Sequence, residues 1–443
     1  MGHRTQSARS AIMRLAIARA ISITGGAAAF TALMFAVYER TDRSTVWLSA
    51  ALLVTFGVHG VLGWFAGALG DRFDRKKVLI VSDLAGVAVY LAIAGVEDPG
   101  WLLVFGFLAA VAEAPFISAS SAAVPALVHR PEDVDRANSW ISVGTSAGIF
   151  IGPAIGGFAL DAVGVGTVFA ANAVTFAVSA LLVWSIRRPF AQGSPSQTGA
   201  EAHGEDHRGV LAGLRFIRRE PVLARITIAF TIMVAFIGLV MVSDLPLVEL
   251  FARGGAETGR FYGFLIAAWG LGSTIGALAG RVITGRTELR WLVATNLGFA
   301  VVMGLVGISP WFWPVLVFLF LNGGFDAMSI VAIRGIQQRR APDAVRSRVM
   351  ASTDALWNLG VAFGYAVAGP LVALLGPRAL YVAAGLGALI GTAILLPLWR
   401  LEPTEGGGGD RDAEVAEPVF TSAEDLEGAP AGVEVVRASL RSA

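Results

Sequence analysis

Twelve apolar stretches, each about as long as a membrane-spanning helix, follow one another along this chain of 443 residues. A bilayer core about 30 Å thick needs roughly 20 apolar residues per helix. Only 15% of the residues are charged and 55% are hydrophobic, whereas soluble domains carry about 25% charged residues. We therefore predict an all-α integral membrane protein. The predicted spans are 12–37, 45–66, 77–96, 101–125, 138–160, 166–187, 221–246, 259–282, 291–308, 312–336, 348–375 and 378–399.

The distribution of basic residues predicts the orientation of these spans. Lys and Arg of short loops stay on the cytoplasmic side, and the loops 97–100 and 309–314 carry neither residue. Both termini are therefore predicted to be cytoplasmic, and the chain to be a multi-pass protein of the inner (cytoplasmic) membrane. The first span is too long for a removable signal peptide. The basic residues of the alternate loops are Arg72, Arg75, Lys76, Lys77, Arg130, Arg136, Arg187, Arg188, Arg208, Arg215, Arg218, Arg219, Arg281, Arg286, Arg290, Arg339, Arg340, Arg346 and Arg348.

Two polar segments divide the chain. The first, from Pro189 to Asp206, separates the sixth span from the seventh and has the composition of a solvated linker. After it, residues 210–221 carry apolar and basic residues at helical spacing, which favours a helix lying at the membrane interface. The predicted organisation is an N-terminal six-helix half (1–188), a cytoplasmic linker with the interfacial helix (189–220), a C-terminal six-helix half (221–400) and a disordered acidic cytoplasmic tail (401–443).

The two halves carry matching segments. GWFAGALGDR (63–72) aligns with GSTIGALAGR (272–281) at an offset of 209 residues, and PEDV (131–134) aligns with PDAV (342–345) at an offset of 211 residues. Each copy of the first segment lies where the second span of its half meets the cytoplasm. Internal duplication of helical bundles around a midplane site is typical of secondary transporters. We therefore predict two repeat halves of six helices each.

The segment GALGDRFDRKK (67–77) resembles the signature loop of the major facilitator superfamily, whose pattern is Gly-x-Leu-x-Asp-Arg-x-Gly-Arg-Lys. Asp74 replaces the glycine of that pattern, and an acidic residue there resembles the siderophore and macrolide exporter branch. The resemblance covers about 400 residues and implies the twelve-helix major facilitator fold. The matching residues are Gly67, Leu69, Asp71, Arg72, Arg75 and Lys76.

The resemblance implies that this loop is a gate. Asp71, at the cytoplasmic end of the second span, is expected to face the positive N-terminal end of the eleventh span and to latch the halves in the outward-facing state. Arg75 is expected to hold that aspartate or a neighbouring helix. The alternative is that these charges only set the topology, although basic residues alone would do that.

A second motif lies on the fifth span, GTSAGIFIGPAIGG (144–157). Gly144, Gly148, Gly152 and Gly156 recur every four residues, so they line one side of the helix and allow another backbone to approach. Pro153 predicts a kink. The segment resembles the helix 5 motif of superfamily antiporters, although Ser139 stands in place of an upstream glycine. The resemblance implies export rather than uptake. The alternative is that these glycines serve only the ordinary packing of small residues between helices. The matching residues are Gly148, Gly152, Pro153, Gly156 and Gly157.

Ionisable residues at membrane depth are costly and mark functional sites. Glu113 lies twelve residues past Trp101 in the fourth span, about 18 Å at 1.5 Å per residue, with Ser120 and Ser121 on its face. Asp326, in the tenth span, is the second candidate to carry the proton, and Asn322 and Ser329 lie at helical spacings from it and form a polar stripe. The alternative role of Arg334, two turns on, is to neutralise Asp326. Structural hydrogen bonding is the alternative for both carboxyls. Further candidates for protons or substrate are Asp354, Asn358 and His59, whereas Asp244 is expected to be an interfacial charge.

Strict repeat symmetry does not pair the two main carboxyls, because the offset of 211 residues places Glu113 opposite Gly324. The chain has no cysteine and no phosphate-binding loop motif, so we expect no cofactor, no metal site and no enzymatic activity. The expected partners are a small-molecule substrate, protons and the lipid bilayer, without nucleic acid, and the chain is expected to function as a monomer.

The predicted function is secondary active export of a small amphipathic or hydrophobic molecule by proton antiport with alternating access. The substrate is expected to be drug-like, macrolide-like or siderophore-like, and the protein to contribute to multidrug resistance or siderophore export. Three alternatives remain open at this point: nutrient uptake, movement of lysophospholipid between leaflets, and a sensor or scaffold that keeps the fold without transporting.

Overall fold

A computed structural model of the chain describes residues 2–57, 73–127, 131–187, 190, 207–283, 285 and 287–400. These residues are almost entirely helical, and none of them lies in a β-strand. They belong to one compact unit, Met1–Pro403. The predicted tail, 401–443, lies outside the described residues.

Thirteen helices are numbered here in chain order. Those of the N-terminal half are α1 (Gly2–Arg40), α2 (Thr45–Leu52, continued by a π-helical turn, Leu53–Gly57), α3 (Arg75–Ala94), α4 (Pro99–Leu127), and α5 and α6, which are residues 131–163 and 165–184 of the helical stretch Pro131–Trp184. The linker helix is α7 (His207–Arg219). Those of the C-terminal half are α8 (Pro221–Glu249), α9 (Ala256–Ala279), α10 (Glu288–Ile308), α11 (Phe312–Arg340), α12 (Asp343–Leu375) and α13 (Pro377–Leu395).

Ten described helices are long and apolar enough to cross a membrane, and two shorter apolar helices, Thr45–Phe56 and Ile151–Leu160, lie in the second and fifth predicted spans. Large apolar side chains are exposed along the bundle, such as Val81 (64%), Leu181 (62%) and Leu374 (78%). Surfaces of this kind suit lipid rather than water. The prediction of an all-helical membrane protein is confirmed, while the remainder of the second span, 58–66, lies outside the described residues.

The repeat is visible in the backbone itself. Gly164 joins α5 to α6 with φ 77° and ψ 165°, and Gly376 joins α12 to α13 with φ 79° and ψ 162°. A side chain is disfavoured at such positive φ values, so glycine is the natural residue at both turns. The two positions are 212 residues apart in the sequence, close to the offsets of the sequence repeats. The matching segments PEDV (131–134) and PDAV (342–345) lie at the starts of α5 and α12.

Polar contacts between the halves lie at one end of the bundle in the described part of the chain. We call it the Glu249 end; it contains the loops that follow α1, α3, α8 and α10. There the Thr45 hydroxyl donates to the Gly369 carbonyl oxygen across 2.7 Å. The opposite end, called the Arg340 end, contains the start of α3, the end of α6 and the end of α11.

The linker helix packs on the C-terminal half at the Arg340 end. A Cβ atom added at Gly213 on α7 would lie 2.6 Å from the Arg348 carbonyl carbon of α12, so only glycine allows this approach. Glu220 follows α7 and accepts a hydrogen bond from Leu223 N at 2.6 Å, which caps the first turn of α8. Its other carboxylate oxygen lies 2.9 Å from Arg340 Nη1. A helix is thus found in this part of the linker, and its place at the membrane interface stays a prediction.

Candidate transport cavity

A cavity of about 700 Å³ lies between the two halves. Its wall is mostly apolar, and aromatic rings come from both halves. The aromatic residues that line it are Phe30, Phe56, Tyr90, Phe116, Phe176, Tyr262, Trp269 and Phe299. A cavity of this size suits a drug-sized molecule, because small-molecule sites are usually apolar with a few placed polar groups.

Glu113 is one of those polar groups. The fourth span places it on the cavity wall, where the Tyr90 hydroxyl of α3 donates to its Oε1 across 3.1 Å. Tyr90 also stacks on Phe176 of α6, with ring centroids 5.5 Å apart and planes 18° apart. The carboxyl is therefore held on the wall by a side chain that is itself fixed by aromatic packing.

Arg19 places a positive charge on the same wall. It lies inside α1, and its Nη1 donates to the Ser120 hydroxyl of α4 across 2.7 Å. Ser120 is fully buried, so the contact ties the guanidinium to the N-terminal half. The sequence analysis had not identified Arg19, although a lone arginine within an apolar run is a signal of a functional or cavity-facing charge.

Asp326 also lines the cavity, on α11, together with Asn322 one turn earlier. Ser329, the third member of the predicted stripe, shares a 2.8 Å hydrogen bond with Thr295 of α10. Arg334 is not the partner of Asp326: its Nη2 lies 2.6 Å from the carboxylate of Asp354 on α12. That suggested pairing was wrong because helix rotation aims Arg334 toward α12.

Asp354, Asn358 and His59 have different outcomes. Asp354 forms the ion pair with Arg334 and is not among the described residues that line the cavity. Asn358 is exposed at the surface of the bundle and is not among them either. His59 lies outside the described residues. The structure therefore brings Glu113 and Asp326 to one cavity and leaves Asp354 and Asn358 away from it.

Asp244 corrects an expectation. Far from being an interfacial charge, it is 6% exposed and lines the cavity, and the Tyr381 hydroxyl of α13 donates to its Oδ1. The interfacial assignment was wrong because α8 continues past it to Glu249, which places Asp244 more than a turn inside the helix. The cavity wall thus carries three carboxyl side chains, although the described residues hold no group of three or more that would bind a metal ion.

The glycines of the fifth span allow two close helix contacts. A Cβ atom added at Gly152 or Gly156 would lie 2.6 Å from a carbonyl oxygen of α1, so these glycines let α5 pack directly on α1. Gly157 faces the other half: a Cβ atom there would lie 2.5 Å from the Gly259 carbonyl oxygen of α9. The backbone stays helical through Pro153, and the break comes at Gly164 instead.

The Glu249 end is closed by contacts that cross between the halves. The Tyr38 hydroxyl of α1 donates to Glu249 Oε2 across 2.7 Å, and Arg43 Nη1 lies 2.5 Å from Glu249 Oε1. Asp42 and Arg43 have φ values of 50° and 62°, a left-handed conformation that non-glycine residues rarely adopt. This strained turn carries Arg43 to Glu249. The sequence alone did not indicate this cluster.

Only part of the predicted gating loop is described. Gly67, Leu69, Asp71 and Arg72 lie outside the described residues. Asp74, which departs from the family pattern, caps α3: its Oδ1 accepts from Lys76 N at 2.8 Å and from Lys77 N at 3.3 Å. An aspartate is among the best helix N-caps, so this substitution has a structural reason.

The two basic residues of the loop that are described lie at the start of α3. The Lys76 ammonium donates to the carbonyl oxygens of Trp184 at 2.9 Å and Ile186 at 2.6 Å, at the end of α6. A cation at a helix C-terminus satisfies carbonyl groups that have no partner within the helix. Arg75 is 8% exposed. Both residues are thus packed into the N-terminal half.

Comparisons with known proteins agree with this architecture. The chain is 29% identical over 377 residues to proteins named enterobactin exporter EntS from Shigella boydii serotype 18 and from Escherichia coli O139:H28, covering 82% of this chain and 86% of each relative. Among solved structures, the nucleoside transporter NupG superposes with a TM-score of 0.71 at 12% identity, covering 88% of this chain and all of that one.

A bacterial homologue of the human lysosomal transporter Spinster, in an inward-facing and unoccupied conformation, superposes with a TM-score of 0.61 at 14% identity, covering 89% of this chain and 97% of the other. The family model described as Major Facilitator Superfamily matches residues 15–286 and 257–439, which is most of the chain. The helical order, the repeated glycine turns and these matches lead to one conclusion: the chain belongs to the Major Facilitator Superfamily.

Proposed function

We propose that this protein exports a small amphipathic or hydrophobic molecule, drug-like, macrolide-like or siderophore-like, in exchange for protons. The observation that carries the proposal is the apolar, aromatic cavity between the halves, with Glu113 and Asp326 on its wall and closed contacts at the Glu249 end. The similarity to proteins named enterobactin exporters supports export rather than uptake.

The orientation follows from charge. The Arg340 end carries Arg187, which follows α6, and the basic residues of α7, α11 and α12, which the positive-inside rule assigns to the cytoplasm. The Glu249 end then faces outward. In this arrangement the halves meet on the outer side, so the conformation is the one that would receive substrate from the cytoplasm.

Glu113 is proposed to carry the exchanged proton. When the outer end opens, its carboxyl takes a proton from outside and substrate leaves; when the outer end closes, the proton leaves toward the cytoplasm and substrate binds. An acid on a low-dielectric wall can be neutral or charged depending on which side supplies protons. Tyr90 would keep the carboxyl on the wall in both states through the hydrogen bond from its hydroxyl. Asp326 is the second candidate for this role.

The two family motifs are proposed to serve the movement. The close contact of Gly157 with Gly259 gives α5 and α9 a small-residue seam between the halves, about which they would pivot. Asp71 is proposed to latch the opposite, cytoplasmic end when the outer end opens. Asp71→Asn should slow turnover and spare substrate binding; normal transport rates in that variant would remove the latch from the mechanism.

The experiment that tests the proposal uses inside-out membrane vesicles with an imposed pH gradient, acid inside. The probes are a lipophilic cationic dye, a macrolide and a tricatechol siderophore. Wild-type vesicles should accumulate at least one probe, and dissipating the gradient should release it. Accumulation by intact energised cells instead would indicate uptake and refute the proposal, as would the absence of flux for all three probes.

Glu113→Gln tests the assigned proton carrier. The glutamine oxygen still accepts the hydrogen bond from Tyr90, so folding should be preserved, but the side chain cannot exchange a proton. Proton-driven accumulation should be abolished, while exchange of labelled for unlabelled probe persists. The matched control is Glu97→Gln, an exposed loop carboxyl, which should leave accumulation unchanged. Accumulation by Glu113→Gln at the wild-type level would exclude Glu113.

A further inference from the structure

Asp83 is a buried acid for which the proposed mechanism has no role. It lies on α3, eight residues after Arg75, and its exposed fraction is 0%. Neither carboxylate oxygen has a hydrogen-bond partner at bonding distance in the described part of the chain. The facing polar group is the hydroxyl of Ser179 on α6, which is also fully buried. A polar side chain in this setting is costly in a membrane protein and needs an explanation.

The surroundings of Asp83 disfavour an ionised carboxylate. Helix α4 and the helical stretch Pro131–Trp184 pack against α3, and the charged group they direct toward Asp83 is another acid, Glu113. The cations of α3 lie in its first turn, about 12 Å away at 1.5 Å per residue. One of them, Lys76, is bound to carbonyl oxygens at the end of α6. A buried charge without a compensating partner is very unfavourable, so the neutral acid is the form that fits this packing.

The position of Asp83 connects it to the cavity. Asp83 and Tyr90 are seven residues apart, so they lie on the same face of α3 about two turns apart. Tyr90 donates to Glu113, which lines the cavity. Gly86, between them, leaves room for the Phe176 ring that stacks on Tyr90. The row of Asp83, Tyr90 and Glu113 therefore runs from the cytoplasmic half of α3 to the cavity wall.

We propose that Asp83 is a second proton-binding site of the N-terminal half, occupied in the conformation that is closed at the Glu249 end. The role rests on the proposed proton exchange. A neutral Asp83 removes the like charge that would oppose ionisation of Glu113. Glu113 gives its proton to Asp83 through water that enters between α3 and α6, and Asp83 then releases it to the cytoplasm. The proton taken up from outside therefore leaves on the inner side, and each transfer breaks one O–H bond and makes another.

The occupied site is tested directly by infrared spectroscopy of the protein in lipid vesicles at neutral pH. A protonated carboxyl has a C=O stretching band that a carboxylate lacks, and Asp83→Asn should remove one such band. The matched control is Asp98→Asn, an exposed carboxyl at the Glu249 end, which should leave the band unchanged. A spectrum of Asp83→Asn with the full wild-type carboxyl band would overturn the proposal.

The role in transport is tested with the same inside-out vesicles. Asp83→Asn, which imitates the neutral acid, should retain exchange of labelled for unlabelled dye but reduce proton-driven dye accumulation at least tenfold. Ser82→Ala is the control for a merely structural disturbance, since Ser82 is a buried neighbour on α3. Wild-type accumulation in Asp83→Asn, or equal losses in both variants, would refute the role. If the wild type itself shows no proton-driven flux, the proposed function fails, and the infrared result still decides whether Asp83 binds a proton.

Discussion

Tyr38→Phe is expected to open the Glu249 end of the bundle more than Arg43→Ala does, although Arg43 makes the ion pair. Both side chains contact Glu249 across the seam between the halves, at 2.7 Å and 2.5 Å. Tyr38 is 4% exposed, whereas the Arg43 side chain is 52% exposed. Water competes with the arginine and screens its charge, while the tyrosine hydroxyl donates to the carboxylate from a buried position.

The two magnitudes follow from these exposures. A hydrogen bond to a charged acceptor contributes about 1.5–3 kcal/mol, and an exposed ion pair about 0.2–1 kcal/mol. Each 1.4 kcal/mol changes an equilibrium tenfold. If both contacts break when the outer end opens, Tyr38→Phe should raise the open-to-closed ratio by roughly 10- to 100-fold. Arg43→Ala should raise it by about fivefold or less.

Spin-label distances provide the assay, and the absence of cysteine in the chain makes labelling specific. Nitroxides at Glu97→Cys and Trp311→Cys would sit on exposed loops of the two halves at the Glu249 end. The longer distance between the two nitroxides, which marks the open outer end, should be more populated in Tyr38→Phe than in Arg43→Ala. Arg40→Ala is the control, because Arg40 donates to Val96 O within one half at 2.5 Å. A larger shift for Arg43→Ala than for Tyr38→Phe would refute the reasoning.

Three further predictions concern packing and caps. Gly156→Val should lower the stability of the protein in detergent by about 1–3 kcal/mol, because its Cβ would lie 2.6 Å from an α1 carbonyl oxygen. Gly304→Ala is the control and should leave the stability unchanged, because nothing lies within 4 Å of a Cβ atom added at Gly304. Thermal unfolding measures both effects. Asp74→Ala should cost about 0.5–2 kcal/mol by loss of the α3 cap, and asparagine at that position should restore most of the melting temperature. Tyr381→Phe should cost about 1–3 kcal/mol by leaving Asp244 without its donor; an equal loss in the background of an Asp244→Asn variant would contradict this.

The apolar stretches predicted the helices well because membrane depth sets their length. The predicted start at 221 and end at 375 coincide with the start of α8 and the end of α12, and most other boundaries differ by a few residues. The largest differences are at the starts of the first and fifth spans, where the helices begin at Gly2 rather than at 12 and at Pro131 rather than at 138. A helix that continues past the bilayer into a polar loop keeps its hydrogen bonds, so hydropathy cannot locate that end.

Contacts between helices were not predictable in the same way. The sequence placed Asp326 and Asp354 at suitable depths, but which one Arg334 contacts depends on how α11 and α12 are rotated about their axes. Asp244 was assigned to the interface because the sequence did not show that α8 continues past it to Glu249, and only the packing of α8 shows that it lines the cavity. The cluster at Glu249 depends on the left-handed backbone conformation of Asp42 and Arg43. Neither residue type by itself predicts that conformation.

The asymmetry between the two main carboxyls has a physical cause in helix packing. The repeat offset places Glu113 opposite Gly324, and Gly324 lies in a close contact between helices, because a Cβ atom added at Gly276 of α9 would lie 2.6 Å from its Cα. The nearest atom to a Cβ atom added at Gly324 would be the Gly272 carbonyl oxygen of α9, at 3.5 Å, so a side chain at position 324 would face α9. The acid of the C-terminal half lies elsewhere on α11: Asp326, two residues on, reaches the cavity. The repeat keeps the backbone contacts of each half, while the charged groups are fitted to the positions that packing leaves free.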